Sequence, residues 1–136
     1  MNNLYLGLVH HPVTNREGLP IISSITNLDI HDIARSCITF GVKNYFVIHP
    51  IQRQKEIFDK VINFWKTDIA KFYNKDRAEA LSLIQFEKSI DETIKKIKYQ
   101  DGSDPIVITT TAALLDNQIS FEDFKEIRLR VNRPVL

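Results

Sequence analysis

Five polar residues crowd into one stretch of the chain, TNLDIHDIARSCITFG: Asn27, Asp29, His31, Asp32 and Arg35. An imidazole such as His31 exchanges a proton near neutral pH. A guanidinium such as Arg35 grips a phosphate through two parallel hydrogen bonds, and it pairs equally well with a carboxylate one turn away, Asp32, or with Asp29. Asn27 and Asp29 are also residue types that cap a helix N-terminus. A second group, Tyr73, Asn74 and Arg77, offers a ring to stack on a base, an amide, and a cation for phosphate. Asn74 can instead cap the helix that follows. Thr109–Thr111 closes a β-branched run, and His10, His11 and His49 fall at the ends of apolar runs. No metal is expected, because Cys37 is the lone cysteine, no HExxH motif occurs, and the histidines lack a ligand spacing.

These side chains need elements to hold them. Leu4–Val9 and Asn44–His49 are apolar runs too short for helices and read as buried strands. Leu83–Glu87 reads as a third strand and Ile106–Thr110, β-branched almost throughout, as a fourth. Between them lie helical patterns. Leu28, Ile30, Ile33, Ala34, Cys37, Ile38 and Phe40 recur at helical spacing, with Asn27 or Asp29 as N-cap and Gly41 as the C-terminal stop. Gln52–Asp68 reads as one long amphipathic helix with Ile57, Phe58, Val61, Ile62, Phe64 and Trp65 inward. Lys75–Ser82 follows as a short helix. Ser89–Tyr99 turns Ile90, Ile94 and Ile97 inward, and Ser120–Arg130 is the last helix. Ser89/Glu92 and Ser120/Asp123 both have capping-box spacing. His11–Ser24, with Pro12, Gly18 and Pro20, reads as a loop. Strands alternating with helices predict an α/β fold with a mostly parallel sheet and helices on both faces. Arg133–Leu136 looks like the opening of a fifth strand, which leads to the expectation that the polypeptide stops inside a structural unit.

With 136 residues there is room for a single domain, residues 1–136. At 43% apolar and 26% charged residues, global disorder is excluded. The formal charge of +1 does not mark an overall nucleic-acid binder, so any phosphate contact must come from a local cluster. No window approaches the apolar length of a membrane span. The opening MNNLYLGLVHHP does not read as a signal peptide, and with one cysteine a reducing cytoplasm is the expected compartment.

Ser24–Pro50, together with LYLGLVHHPV, KFYNKDRAEAL and ITTTA, resembles a family of bacterial SPOUT-superfamily proteins. These are the α/β-knot methyltransferases that act on RNA with S-adenosylmethionine (SAM), a domain also found attached to tRNA (guanine-N1)-methyltransferases. The resemblance covers nearly the whole chain. It implies a Rossmann-like N-terminal half followed by a trefoil knot, and a SAM site of three loops. Thr110, Thr111 and Ala112 match the start of the first loop. The other two loops would follow Leu136, so the chain is expected to lack the knot and to bind SAM without useful affinity. Arg35 matches an arginine that activates the target hydroxyl in related ribose methyltransferases within an Asn-x₅-Arg pattern, with Asp29 standing where that pattern has asparagine. Asn27, His31, Tyr73, Asn74 and Arg77 are then the candidate RNA contacts. The resemblance further implies a tRNA or rRNA substrate and a homodimer. The competing expectation is a non-catalytic α/β module that binds a nucleotide or a protein.

Overall fold

A computed structural model describes residues 3–136. Its centre is a three-stranded parallel sheet in the order β1 (Tyr5–Val9), β4 (Asn44–Ile48), β5 (Ile84–Glu87). Tyr5 pairs with Asn44 and Val9 with Ile48; on the other side Tyr45 pairs with Ile84 and Ile48 with Glu87. β4 is the middle strand, and Tyr45 through Ile48 are buried, as a strand covered on both faces must be. Side chains of alternate residues leave opposite faces. Tyr45 and Val47 join Ile30, Ala34, Cys37, Phe58, Ile62, Trp65 and Leu81 in the larger core. Phe46 and Ile48 join Tyr5 and Ile97 in a smaller one on the opposite face.

Helices α1 (Asn27–Thr39), α2 (Gln52–Trp65), α3 (Asp68–Tyr73) and α4 (Lys75–Ser82) precede β5. α5 (Ile90–Asp101) lies against the other face, and α6 (Phe121–Arg130) buries no residue. The C-cap of α5, Gly102, has φ 73°, a left-handed conformation that glycine takes without a Cβ clash. The turn after α1 is closed the same way by Gly41, φ 66°.

Several expectations are corrected. Ile106–Thr110 does not form a full strand: Ile106 makes one parallel bridge to Val135, which bridges Leu4 on its other side. Among the described residues it pairs with Pro134–Leu136, through Ile106 N–H to Pro134, Leu136 N–H to Ile106 and Ile108 N–H to Leu136. Val135 thus sits between the Ile106 segment and Leu4 at the start of β1, continuing the parallel order. The 11–24 segment is not all loop, since β2 (Val13–Thr14) and β3 (Pro20–Ile21) form a small antiparallel hairpin. Its turn is held by the Asn15 side chain, which accepts from the Glu17 and Leu19 amides. α2 stops at Trp65, because Thr67 caps a new helix by accepting from the Ala70 amide. Phe64 is 52% exposed, and Ile57, Ile38, Leu28, Phe40 and Ile90 also face outward. Each helix offers the sheet a stripe narrower than its apolar content.

The N-cap of α1 is Thr26, not Asn27 or Asp29. Thr26 accepts from the Asp29 amide and the Asp29 carboxylate accepts from the Thr26 amide, a closed capping box. The Ser120/Asp123 box closes likewise. The Ser89/Glu92 box closes only halfway, because the Glu92 carboxylate pairs with Lys95 instead.

A candidate RNA-binding cavity and cofactor wall

α1 carries the first polar group; of the second, Tyr73 ends α3, Asn74 caps α4 and Arg77 lies on α4, and α1 and α4 pack against each other. The capping box sets where α1 begins, and the buried line Ile30, Ala34, Cys37 sets how it is rotated. That rotation leaves Arg35 exposed, with Nη2 2.5 Å from Asp32 Oδ1. Asn74 caps α4 by accepting from the Arg77 amide at 3.0 Å, which puts Arg77 at the third helical position. The Arg77 guanidinium lies over the Trp65 ring, 5.4 Å from its centroid. His31 meets the same ring edge-on at 5.8 Å. Trp65 therefore props two site residues from below, one through a cation–π contact.

Between α1 and α4 lies a cavity of about 360 Å³ lined by Arg35, Ile38, Asn74, Asp76, Arg77 and Ala80. Arg77 Nε is buried with no hydrogen-bond partner among the described residues. An unmet charged donor next to a second guanidinium and the N-terminus of a helix suits an anion with several acceptor oxygens. His31 senses the same field. Its imidazole is held below the ordinary 6.5 by burial first, then by the Arg77 and Arg35 charges, with Asp32 opposing. The neutral ring dominates at pH 7, and its Nδ1 also lacks a partner among the described residues.

A larger trough of about 900 Å³ opens on the other side of α1. Leu6, Leu8, Ile33, Val107, Phe124 and Leu136 make it mainly apolar, with Thr109, Thr110 and Asp32 among its polar lining. Thr111 and Ala112 lie just past it and are exposed, as is Thr110. Among the described residues no hydrogen bond engages the amides of Thr109, Thr110, Thr111 or Ala112. Free amides beside an apolar wall suit a ligand with a flat ring and acceptor atoms, as the adenosine end of SAM has.

The polar residues singled out in the sequence therefore divide. Arg35, Asn74 and Arg77 meet in one cavity and His31 stands beside it. Thr110 belongs to the trough. Asn27 is exposed at the start of α1, Tyr73 is exposed on α3, and the Asp29 carboxylate is engaged in the capping box. Asp32 joins the two regions, since it lines the trough while its carboxylate holds Arg35. Its spacing of three residues before Arg35 carried that signal. Trp65 reads in the sequence only as core, and no local spacing ties it to residues on α1 and α4.

The strand-end histidines form a third, inward-facing group. His49 Nε2 lies 2.9 Å from the Ser23 carbonyl and its Nδ1 accepts from the Ile51 amide. A carbonyl only accepts and an amide only donates, so His49 is the neutral tautomer protonated on Nε2. His10 packs 5.5 Å from it, centroid to centroid, with Nδ1 2.9 Å from Ser23 Oγ. Burial lowers the His10 pKa, with the Asp29 charge opposing. These contacts tie the 11–22 hairpin to the ends of β1 and β4. No helix is long and apolar enough to cross a membrane, and no cluster of three or more metal-ligating side chains occurs, both statements covering the described residues.

Comparison with known proteins supplies the family. The chain is 40% identical over 110 residues to a tRNA (guanine-N(1)-)-methyltransferase of Oleidesulfovibrio alaskensis, a match covering 81% of this chain and 26% of that protein. A protein of the same name from Nitratidesulfovibrio vulgaris is 38% identical over the same length, again covering 26% of the relative. An uncharacterized Aquifex aeolicus protein is 29% identical over 119 residues, 58% of its length. The chain thus spans about a quarter of the two tRNA-methyltransferase relatives. Residues 3–136 match the sequence pattern of the SAM-dependent RNA methyltransferases, and the chain belongs to that family.

Proposed function

We propose that this chain serves the transfer of a methyl group from SAM to RNA, with tRNA or rRNA as substrate, in the cytoplasm. The observation that carries the RNA side of this reading is the α1–α4 cavity, which gathers Arg35 from α1 with Asn74 and Arg77 from the start of α4. A phosphate of the substrate would sit between the two guanidiniums, where Arg77 Nε has an unmet donor. Arg35 orients the target and Asp32 orients Arg35. Asp29 acts at one remove, by closing the cap that starts α1. Asn27 and Tyr73, both exposed, extend the RNA face, and His31 reports on its charge.

The trough and the Thr110–Ala112 turn fit one wall of a SAM site through the free amides and apolar lining described above. When bound, SAM supplies an electrophilic methyl group on its sulfonium. The chain's part is to hold the nucleophile in line with it and to exclude water. We favour a homodimer for the chain, as its resemblance to the knot methyltransferases implies.

RNA binding tests this reading directly. The full chain should bind a short single-stranded RNA, and Arg77→Ala and Arg35→Ala should each weaken it. Removing one phosphate contact should also flatten the plot of log K against log salt by about 0.7. Unchanged affinity and slope in both variants would remove this cavity from the RNA face.

A further inference from the structure

α3 carries an apolar stripe that the fold does not use. Ile69, Phe72 and Tyr73 share one face at i, i+3 and i+4 and are 77%, 95% and 79% exposed. The only residue α3 buries is Ala70. The surroundings are basic. Lys66, Lys71 and Lys75 are exposed, and none is in an ion pair among the described residues. The two acids nearby, Asp68 and Asp76, sit in the first turns of α3 and α4, where the helix N-termini offset their charge. Tyr73 is followed directly by Asn74, which lines the Arg35–Arg77 cavity.

We propose that Phe72 and Tyr73 form a stacking platform for an unpaired nucleotide of the RNA, with a neighbouring phosphate seated between Arg35 and Arg77. This rests on the RNA reading above and names the substrate class: a loop, bulge or single strand rather than a duplex. In an A-form duplex the base faces are stacked on one another, leaving phosphates and shallow groove edges to bind, so an exposed ring gains nothing. An unpaired base offers a free π-face, and a ring beside unpaired cations is how single strands are held. A protein partner fits less well. The centre of a protein interface is depleted of charge, whereas covering this stripe would desolvate lysines that RNA phosphates would neutralise.

The test is fluorescence anisotropy on the full chain, with a labelled short single-stranded RNA of mixed sequence and with the same strand annealed to its complement. The single strand should bind about ten-fold tighter or more. Phe72→Ala and Tyr73→Ala, at solvent-facing positions, should keep the thermal transition of the parent. Each should cost about ten-fold in single-strand affinity, the scale of one lost base stack. Phe72→Trp should retain affinity and Phe72→Leu should lose it, because leucine preserves apolar area without a π-face. Equal affinity for duplex, or Leu matching Phe, overturns the platform. If RNA binds and Phe72→Ala has no effect, the platform falls and the RNA reading stands. If the parent chain binds neither RNA, both fall. Sedimentation of the same variants adds a last outcome: loss of a self-associated species on Phe72→Ala with RNA affinity unchanged would make the stripe a contact between copies and overturn the proposal.

Discussion

At the scale of single residues the charge field of the α1–α4 cavity makes a measurable claim through His31. Burial and two guanidiniums together disfavour its proton, and Asp32 compensates only in part. An anion that enters between Arg35 and Arg77 offsets the second of these causes. The His31 pKa should therefore rise when inorganic phosphate or a short RNA is added, measured by NMR titration of the histidine ring protons. No movement of His31 while RNA is bound would mean that the phosphate lies elsewhere. Cys37, one helical turn beyond Ile33, takes no part. Burial pushes its thiol up to about 11, so at pH 7 it is a packed thiol and not a nucleophile.

At the scale of elements, two closed capping boxes with the same chemistry carry different burdens. α1 places Ile30, Ala34 and Cys37 in the core and positions Arg35, whereas α6 buries no residue. Thr26→Ala and Ser120→Ala each remove a cap worth about 1 kcal/mol to its helix. Urea unfolding should show Thr26→Ala losing about that amount in global stability. Ser120→Ala should lose much less, its effect confined to faster amide exchange within α6. Equal global losses would show that α6 is tied into the main cooperative unit. Asp29 is the residue on which element and site meet. Asp29→Ala should resemble Thr26→Ala in stability and weaken RNA binding only as far as it loosens α1.

At the scale of the whole molecule, pH acts through two imidazoles, the buried His10 and the partly buried His31. His10 and His31 are both held below the ordinary 6.5, chiefly by burial. Below pH 6.5 the unfolded chain takes up protons that the folded chain still refuses, so stability falls as pH drops through 6.5 towards the folded values, and it is level above. Urea midpoints at about pH 5.5 should lie below those at about pH 7.5, and His31→Gln should reduce the gap. An unchanged gap would assign the effect to His10 and the hairpin it holds.

The proposed cofactor wall is also a whole-molecule matter. Tight binding of a small ligand requires most of its surface to be enclosed, and the Thr110–Ala112 turn is exposed. Calorimetric titration of the chain alone with SAM should give a dissociation constant weaker than about 100 μM. A micromolar one-to-one isotherm would show that the walls described here, or a pair of copies, already suffice.

Local chemistry determined much of this protein in advance. β-branched and apolar runs marked Leu4–Val9, Asn44–His49 and Leu83–Glu87, within which the strands Tyr5–Val9, Asn44–Ile48 and Ile84–Glu87 lie, and α4 lies over the residues its pattern marked, because burial on both sheet faces and the 3.6-residue period each leave a trace in neighbouring positions. The Asn74 cap and the Gly41 stop were legible for the same reason: each acts within a few residues of itself. Other features were decided only in three dimensions. Whether Phe64 is core depended on how wide a stripe α2 could press against its neighbours, and half its surface stayed in water. Whether Ile106–Thr110 became a strand depended on its partner, and a β ladder has no existence apart from the strand beside it. The cavity itself is of this kind. Arg35 and Arg77 lie 42 positions apart in the chain, and they face each other because α1 packs on α4 and because Trp65, from a third helix, holds one guanidinium in place.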